Sequence, residues 1–170
     1  MLLALNARLV LQQGESLREV PLDQFYTGYR QTVLQPGEFI HSIVIPKVTV
    51  SPDFVAWKVS KRLDDDISAV FAAFNLQMEQ GIVSSAHIAF GGMAATPQRA
   101  RHCEAALTGQ PLNAVTVSRA AAALAEDFQP LSDFRASSDY RLQVARNLLR
   151  RYWHRHNGEI TCLEVSRYVS

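Results

Sequence analysis

Lys58, Lys61 and Arg62 stand beside three consecutive carboxylates, Asp64, Asp65 and Asp66, in the stretch KVSKRLDDDISAV. Cations at this spacing can hold a phosphate or another anion. A solvated loop between two strands produces the same pattern, and on residue types alone that plainer reading is favoured. Lys58 differs from its neighbours. It sits between Trp57 and Val59 in an apolar run, so its ammonium must emerge somewhere polar or meet an anion.

Other residues could do chemistry. His154 and His156 flank Arg155 like a metal pair, but alternate positions near a helix end point apart, and no cysteine or carboxylate stands at ligand spacing. No metal is expected. Phe90-Gly91-Gly92-Met93-Ala94 carries paired glycines, which permit positive φ or close backbone approach. The run is short for a phosphate cradle, so a sharp strand-to-helix turn is the favoured reading. Tyr26, Tyr29 and Arg30 could form an aromatic–cationic surface, although aromatics before a strand usually pack. Arg146, Arg150, Arg151 and Arg155 make a basic side of the last helix, which also suits its C-terminal dipole. Cys103 and Cys162 lack CxxC spacing and read as free thiols in a reducing cytoplasm. The sequence contains no GxSxG, HExxH, P-loop or GxGxxG.

The composition narrows the classes further. Seventeen Lys/Arg against sixteen Asp/Glu leave a net charge of +1, which supplies no global attraction for nucleic acid or anionic lipid. With 48% hydrophobic residues, 170 residues suffice for one sizeable domain, or a small domain plus a segment of another. No apolar run approaches a membrane span, and Asn6 and Arg8 interrupt the apolar start too early for a signal peptide.

The elements that must position these residues fall into two unequal pieces. Residues 1–46 read as short strands: 3–11, a hairpin turn at 12–15, and an edge strand at 17–22 that contains Pro21. Asp23 could cap a single helical turn. Gln35-Pro36-Gly37-Glu38 is a turn, and residues 39–45 read as a buried strand closed by Pro46. This piece is too short and too rich in edges to be stable alone. After a linker at 47–52, residues 54–59 begin a strand, and residues 68–79 form a second with Val70, Ala72, Phe74, Leu76 and Met78 on one face. Gln80-Gly81 turns the chain into a third strand at 82–90. The remainder is helical. Thr96-Pro97 starts one helix, which Thr108-Gly109 ends. A second places Val117, Ala121, Leu124, Ala125 and Phe128 on one face. A third starts near Ser138-Asp139 and turns Val144, Ala145, Leu148, Leu149, Tyr152 and Trp153 inward. Strands followed by segregated helices argue α+β: a three-stranded antiparallel sheet with helices on one face.

The order of four motifs adds a family resemblance. Residues 29–38 with Ile43-Val44-Ile45-Pro46 resemble the end of the FAD-binding domain of molybdenum hydroxylases. Residues 57–68 are similar to that family's loop beside the flavin, and residues 88–100 to its strand-to-helix turn. Ser138-Asp139-Tyr140-Arg141 and Leu148-Leu149-Arg150-Arg151 match its last helix. The closest fit is the FAD-binding subunit or domain of xanthine dehydrogenase, with carbon monoxide dehydrogenase medium subunits as relatives.

This resemblance implies a flavoprotein component that forms one wall of an FAD site. A molybdenum cofactor and 2Fe-2S clusters would lie on partner subunits or domains, and electrons would leave FAD for NAD or another acceptor. It places Lys58 near FAD, Ile40 against the isoalloxazine or its chain, and Arg30 behind that wall. Residues 61–68 become the acceptor-side loop, with Arg62 in it and Asp65 nearest the ring system. Leu63 stands where many relatives carry a charge, which leaves the acceptor open. Residues 1–46 become the incomplete end of the FAD-binding lobe, and 53–170 a carbon monoxide dehydrogenase flavoprotein C-terminal-like domain. The family's glycine-rich FAD motifs would precede residue 1, so the chain reads as a C-terminal part, inactive in isolation. The alternative is a non-catalytic scaffold that docks subunits.

Overall fold

The computed structural model describes residues 1–47, 50–62 and 67–159. The chain opens with a 3-10 turn, Leu2–Leu5, followed by β1 (Arg8–Gln13), β2 (Ser16–Pro21), a second 3-10 turn (Leu22–Gln24), β3 (Tyr26–Gly28), β4 (Gln31–Thr32) and β5 (Phe39–Val44). β6 (Val55–Val59), β7 (Val70–Glu79), β8 (Ile82–Gly91) and β9 (Gln98–Arg99) come next, and then α1 (Arg101–Leu107), α2 (Ala114–Asp127) and α3 (Ser138–His156). The fold is α+β, as the sequence implied.

Alternation along β7 and β8 organises the rest. The two strands form an antiparallel hairpin across Gln80-Gly81, where both residues take positive φ, 50° and 80°. That is the geometry a two-residue turn needs to match strand twist. Val70, Ala72, Phe74 and Leu76 point to one face together with Ala86, Ile88 and Phe90, and there they meet the three helices. Phe74 lies at the centre of this core. Its ring is 5.5 Å from Tyr152, 5.7 Å from Trp57 and 6.0 Å from Phe90.

The opposite face is built differently. Ala73 and Ala89 are buried there, flanked by Ala56 and Phe71, and Leu3, Ala4, Ala7, Leu9 and Leu11 pack onto them. Residues 1–44 thus cover the second face of the same sheet. They contribute their own antiparallel sheet, ordered β2-β1-β5, and the small β3-β4 pair.

Several details depart from the sequence expectations. The central sheet has four strands, β6-β7-β8-β9, because Gln98 and Arg99 pair with Phe90 and Ala89. Consequently Thr96-Pro97 does not start a helix. The Ala100 amide donates to the Ile88 carbonyl at 2.8 Å, and α1 begins only at Arg101. Its first free amides are capped from outside: the Asp127 carboxylate, at the end of α2, accepts from His102 N (2.8 Å) and Cys103 N (3.0 Å). Leu2–Leu5 is a 3-10 turn and not a strand, since Leu3, Ala4 and Leu5 are buried in succession and a strand would alternate. In α2, Ala125 is exposed and Ala120 takes the inward position. β5, expected to be buried, is an exposed edge strand. Among the described residues only β1 pairs with it, and no described layer covers its apolar side chains. Among the described residues no helix is long and apolar enough to cross a membrane.

Truncating Phe74→Ala removes the ring on which three aromatic contacts converge. Unfolding free energy in a urea titration is expected to fall by about 3–5 kcal/mol. A loss below ~1 kcal/mol would show that this core does not depend on it.

Candidate functional site

The approach to β5 is held by one arginine. Arg18 on β2 donates from Nε to Glu38 Oε1 (2.6 Å), and from Nη2 to Glu38 Oε2 (2.8 Å) and to the Val33 carbonyl (2.8 Å). Glu38 also accepts from the Gln35 amide at 2.8 Å, and Gln13 Nε2 donates to the Pro36 carbonyl at 2.7 Å. Gly37, at φ +81, supplies the left-handed residue of this turn. The bond from Arg18, reinforced by the Gln35 amide, pulls the Glu38 carboxyl down to a pKa of about 2.

Beyond the turn, β5 carries a register shift opposite Val10 and Leu11, so that Ile40 pairs with Leu11 and Ser42 with Val10. A bulge of this kind re-aims side chains. Phe39 (53% exposed) and Ile40 (44%) stand in solvent with Ile43, Val44 and Ile45. Apolar side chains left exposed along an edge strand, though interrupted by His41 and Ser42, mark a surface that something covers.

Arg30 lies in the β3–β4 turn at φ 56, with its guanidinium 5.4 Å from the Tyr29 ring centroid. Tyr29 is 70% exposed, so these residues form the aromatic–cationic surface and not the packing contact that was favoured. Tyr26 rests edge-on against Phe25 at 5.0 Å and also keeps an exposed side. Lys58 lies on β6 opposite Phe71 and is exposed, whereas Trp57 and Val59 are half-buried. Arg62 follows the strand, exposed, and its carbonyl accepts from Ser60 Oγ at 2.8 Å. Asp65, with Leu63, Asp64 and Asp66, lies outside the described residues. The predicted site residues therefore fall in two regions: Arg30 and Ile40 on the first lobe, Lys58 and Arg62 at the end of β6.

A cleft of about 430 Å³ adjoins that strand end, lined by Ser60, Lys61, Arg135, Ser137 and Tyr140 among others. Behind it Arg141, only 4% exposed, ties three segments together. It donates to the Ala69 carbonyl, to the Gly92 carbonyl (2.9 Å) and to Asp133 (2.6 Å). Gly92 takes φ +78, and a Cβ there would strike the Ala69 carbonyl and come within 3.2 Å of Arg141. Gly92 therefore makes room for this arginine and turns the chain toward β9. The sequence reading missed the role of Arg141. The available signal was its place on the inward stripe of α3 with Ala145 and Leu148. His154 and His156 face different carboxylates, Glu159 at 2.5 Å and Asp53 at 3.0 Å. Among the described residues no three His, Cys, Asp or Glu side chains group as metal ligands.

An antiparallel sheet clad by helices on one face and by a small strand lobe on the other recurs over about half of one chain in carbon monoxide dehydrogenase structures. The chain belongs to the CO dehydrogenase flavoprotein C-terminal domain family, whose model matches residues 55–156; the FAD binding domain in molybdopterin dehydrogenase matches residues 1–48. It is 35% identical over 155 residues to xanthine dehydrogenase of Emericella nidulans, covering 89% of this chain and 11% of that one. To the xanthine dehydrogenase FAD-binding subunit of Escherichia coli O157:H7 it is 29% identical over 149 residues, covering 86% of this chain and 50% of that one. A chain of the carbon monoxide dehydrogenase structure from Hydrogenophaga pseudoflava superposes with a TM-score of 0.80 at 28% identity, covering 88% and 52% of the two chains. The chain thus spans about half the length of these bacterial relatives.

The Arg18–Glu38 clamp makes a measurable claim. Because the folded-state pKa of Glu38 is depressed, its stabilising effect is complete above the ordinary value of 4.5 and is lost as pH falls through about 2. Replacing Arg18→Met should move the Glu38 midpoint up toward that ordinary value in a carboxyl NMR titration. An unmoved midpoint would mean that the Gln35 amide alone sets it.

Proposed function

We propose that this chain forms one wall of the FAD site in a molybdenum hydroxylase of the xanthine dehydrogenase type. The observation that carries the reading is the uncovered apolar strip of β5, which lies within the segment matched by the FAD-binding model. Its residues fit the ring side of a flavin. Ile40 and Phe39 offer apolar surface that would exclude water, Arg30 stiffens the neighbouring turn, and Lys58 brings positive charge to an exposed strand end. Arg62 and Asp65 belong to the loop on the acceptor side, where their charges bias the approach of an acceptor. The pyrophosphate side is another matter. The positive-φ glycines at 14, 37, 81, 92, 109 and 158 are isolated in separate turns, so no glycine cradle forms among the described residues.

When bound, FAD supplies a carrier that exchanges electrons with one-electron and two-electron partners. The molybdenum cofactor and 2Fe-2S clusters belong to partner subunits or domains, with NAD or another carrier as the acceptor. A cytoplasmic setting belongs to the same reading, since a reducing compartment keeps a free thiol such as Cys103 unpaired. The same apolar strip would also serve a docking scaffold that never touches flavin.

Visible flavin absorption separates the two readings. After gel filtration the 170-residue chain alone is expected to be colourless, because one open wall cannot offset the freedom a dinucleotide loses on binding. Supplied with the molybdenum and iron–sulfur components, and with the first half of the bacterial FAD-binding subunit, it is expected to carry near-stoichiometric FAD. An assembled complex without flavin would favour the scaffold.

A further inference from the structure

Alanines set the spacing between residues 1–44 and the central sheet, and one buried amide sets their alignment. Asn75, 1% exposed, lies in the middle of β7 opposite His87, on the face that meets the lobe. Its Nδ2 donates to the Ala4 carbonyl at 2.9 Å, and its Oδ1 accepts from the Ser51 amide at 2.8 Å. Ala4 sits in the turn that opens the lobe, and Ser51, itself buried, lies in the segment that leaves it. A single side chain therefore satisfies buried backbone groups from both arms of the lobe. An apolar residue would strand the two groups without partners.

A second set of bonds crosses the same junction. Asn6, in the left-handed conformation at φ 51, places Nδ2 3.3 Å from the His87 ring nitrogens and accepts from Arg99 Nη1 at 3.0 Å. Arg99 is held in turn by Glu104 (2.7 and 2.8 Å), which also accepts from the Ile88 amide at 2.7 Å. These bonds fix rotation about the contact made by Asn75.

We propose that Asn75 is a positioning residue that locks the lobe against the C-terminal sheet in one alignment, so that Ile40 on β5 and Lys58 on β6 keep a fixed relation. The value of that relation for flavin rests on the function proposed above; the lock itself does not. A buried polar group among alanines costs desolvation and specifies register, which greasy contact alone would leave free to slide.

Asn75→Asp in the 170-residue chain tests the lock. Its carboxylate keeps an acceptor for the Ser51 amide but turns an oxygen toward the Ala4 carbonyl. Once protonated it regains a donor and reproduces the amide, and burial brings that protonation to milder pH. The charged or titratable groups on the strands and turn next to it include Lys58 on β6, Glu79 on β7, His87 on β8, Arg99 on β9 and the Met1 amine before the first turn.

Backbone exchange is read as protection factors, corrected for intrinsic rates, between about pH 8 and pH 5, which stays above the ordinary carboxylate range. At the higher pH, amides of β1, β2 and β5 should lose at least about tenfold protection while those of α1–α3 keep theirs. At the lower pH the variant should recover, and the unsubstituted chain should change little. Unchanged protection, an equal loss across the helices, or no recovery on acidification would overturn the proposal. No flavin is present in this experiment, so a failed FAD titration with the lock intact would count only against the proposed function.

Discussion

The β7–β8 ladder bears Phe74, Leu76, Ile88 and Phe90 on one side and Ala73 and Ala89 on the other. The large side chains fill the space between the sheet and three helices, each ring or branch gaining many weak contacts at close packing. The alanines have almost nothing to fill space with, so burial on their side requires another layer to come close. Leu3, Ala4, Leu9 and Leu11 provide that layer. Had both faces carried large residues, the lobe would stand off and the polar bonds to Asn75 would not reach. The difference in side-chain size across one hairpin thus puts the helices on one side and residues 1–44 on the other.

Charged side chains then fix the parts that packing leaves loose. Arg18 and Glu38 hold the turn before β5, Arg141 ties the segment entering β7 to the turn after β8, and Asp127 closes the open end of α1. Each is a buried or half-buried charge given several partners, which is the condition under which such groups are tolerated. Two of these ties lie directly behind the surfaces assigned to the flavin and its acceptor. The exposed residues there can stay exposed because their backbone is anchored from behind.

The sequence made the alternating strands, the turn residues and the start of the last helix legible, since these follow from local periodicity and capping. The family resemblance rested on motifs placed on those elements, and the α+β fold followed. Burial of β5 was not legible: its composition suits an interior strand, and exposure depends on which neighbours are present. The Thr96-Pro97 signal was locally sound, yet pairing of Gln98 and Arg99 with β8 overrode it. Leu2–Leu5 and β1 read as one strand because a short 3-10 turn has no period long enough to detect. Arg141 stayed hidden as a site-building residue because an arginine on an apolar stripe shows its partners only in three dimensions. Asp65 falls outside the described residues, so its place in the site remains as the resemblance gave it.

The unequal faces of β7–β8 are tested most directly by Ala73→Leu, which adds bulk at a fully buried position against the lobe and should cost about 1–3 kcal/mol. Followed residue by residue with amide exchange, β1, β2 and β5 are expected to lose protection while α2 and α3 keep theirs. Full protection across residues 1–44 in that variant, or a loss centred on the helices, would contradict the account.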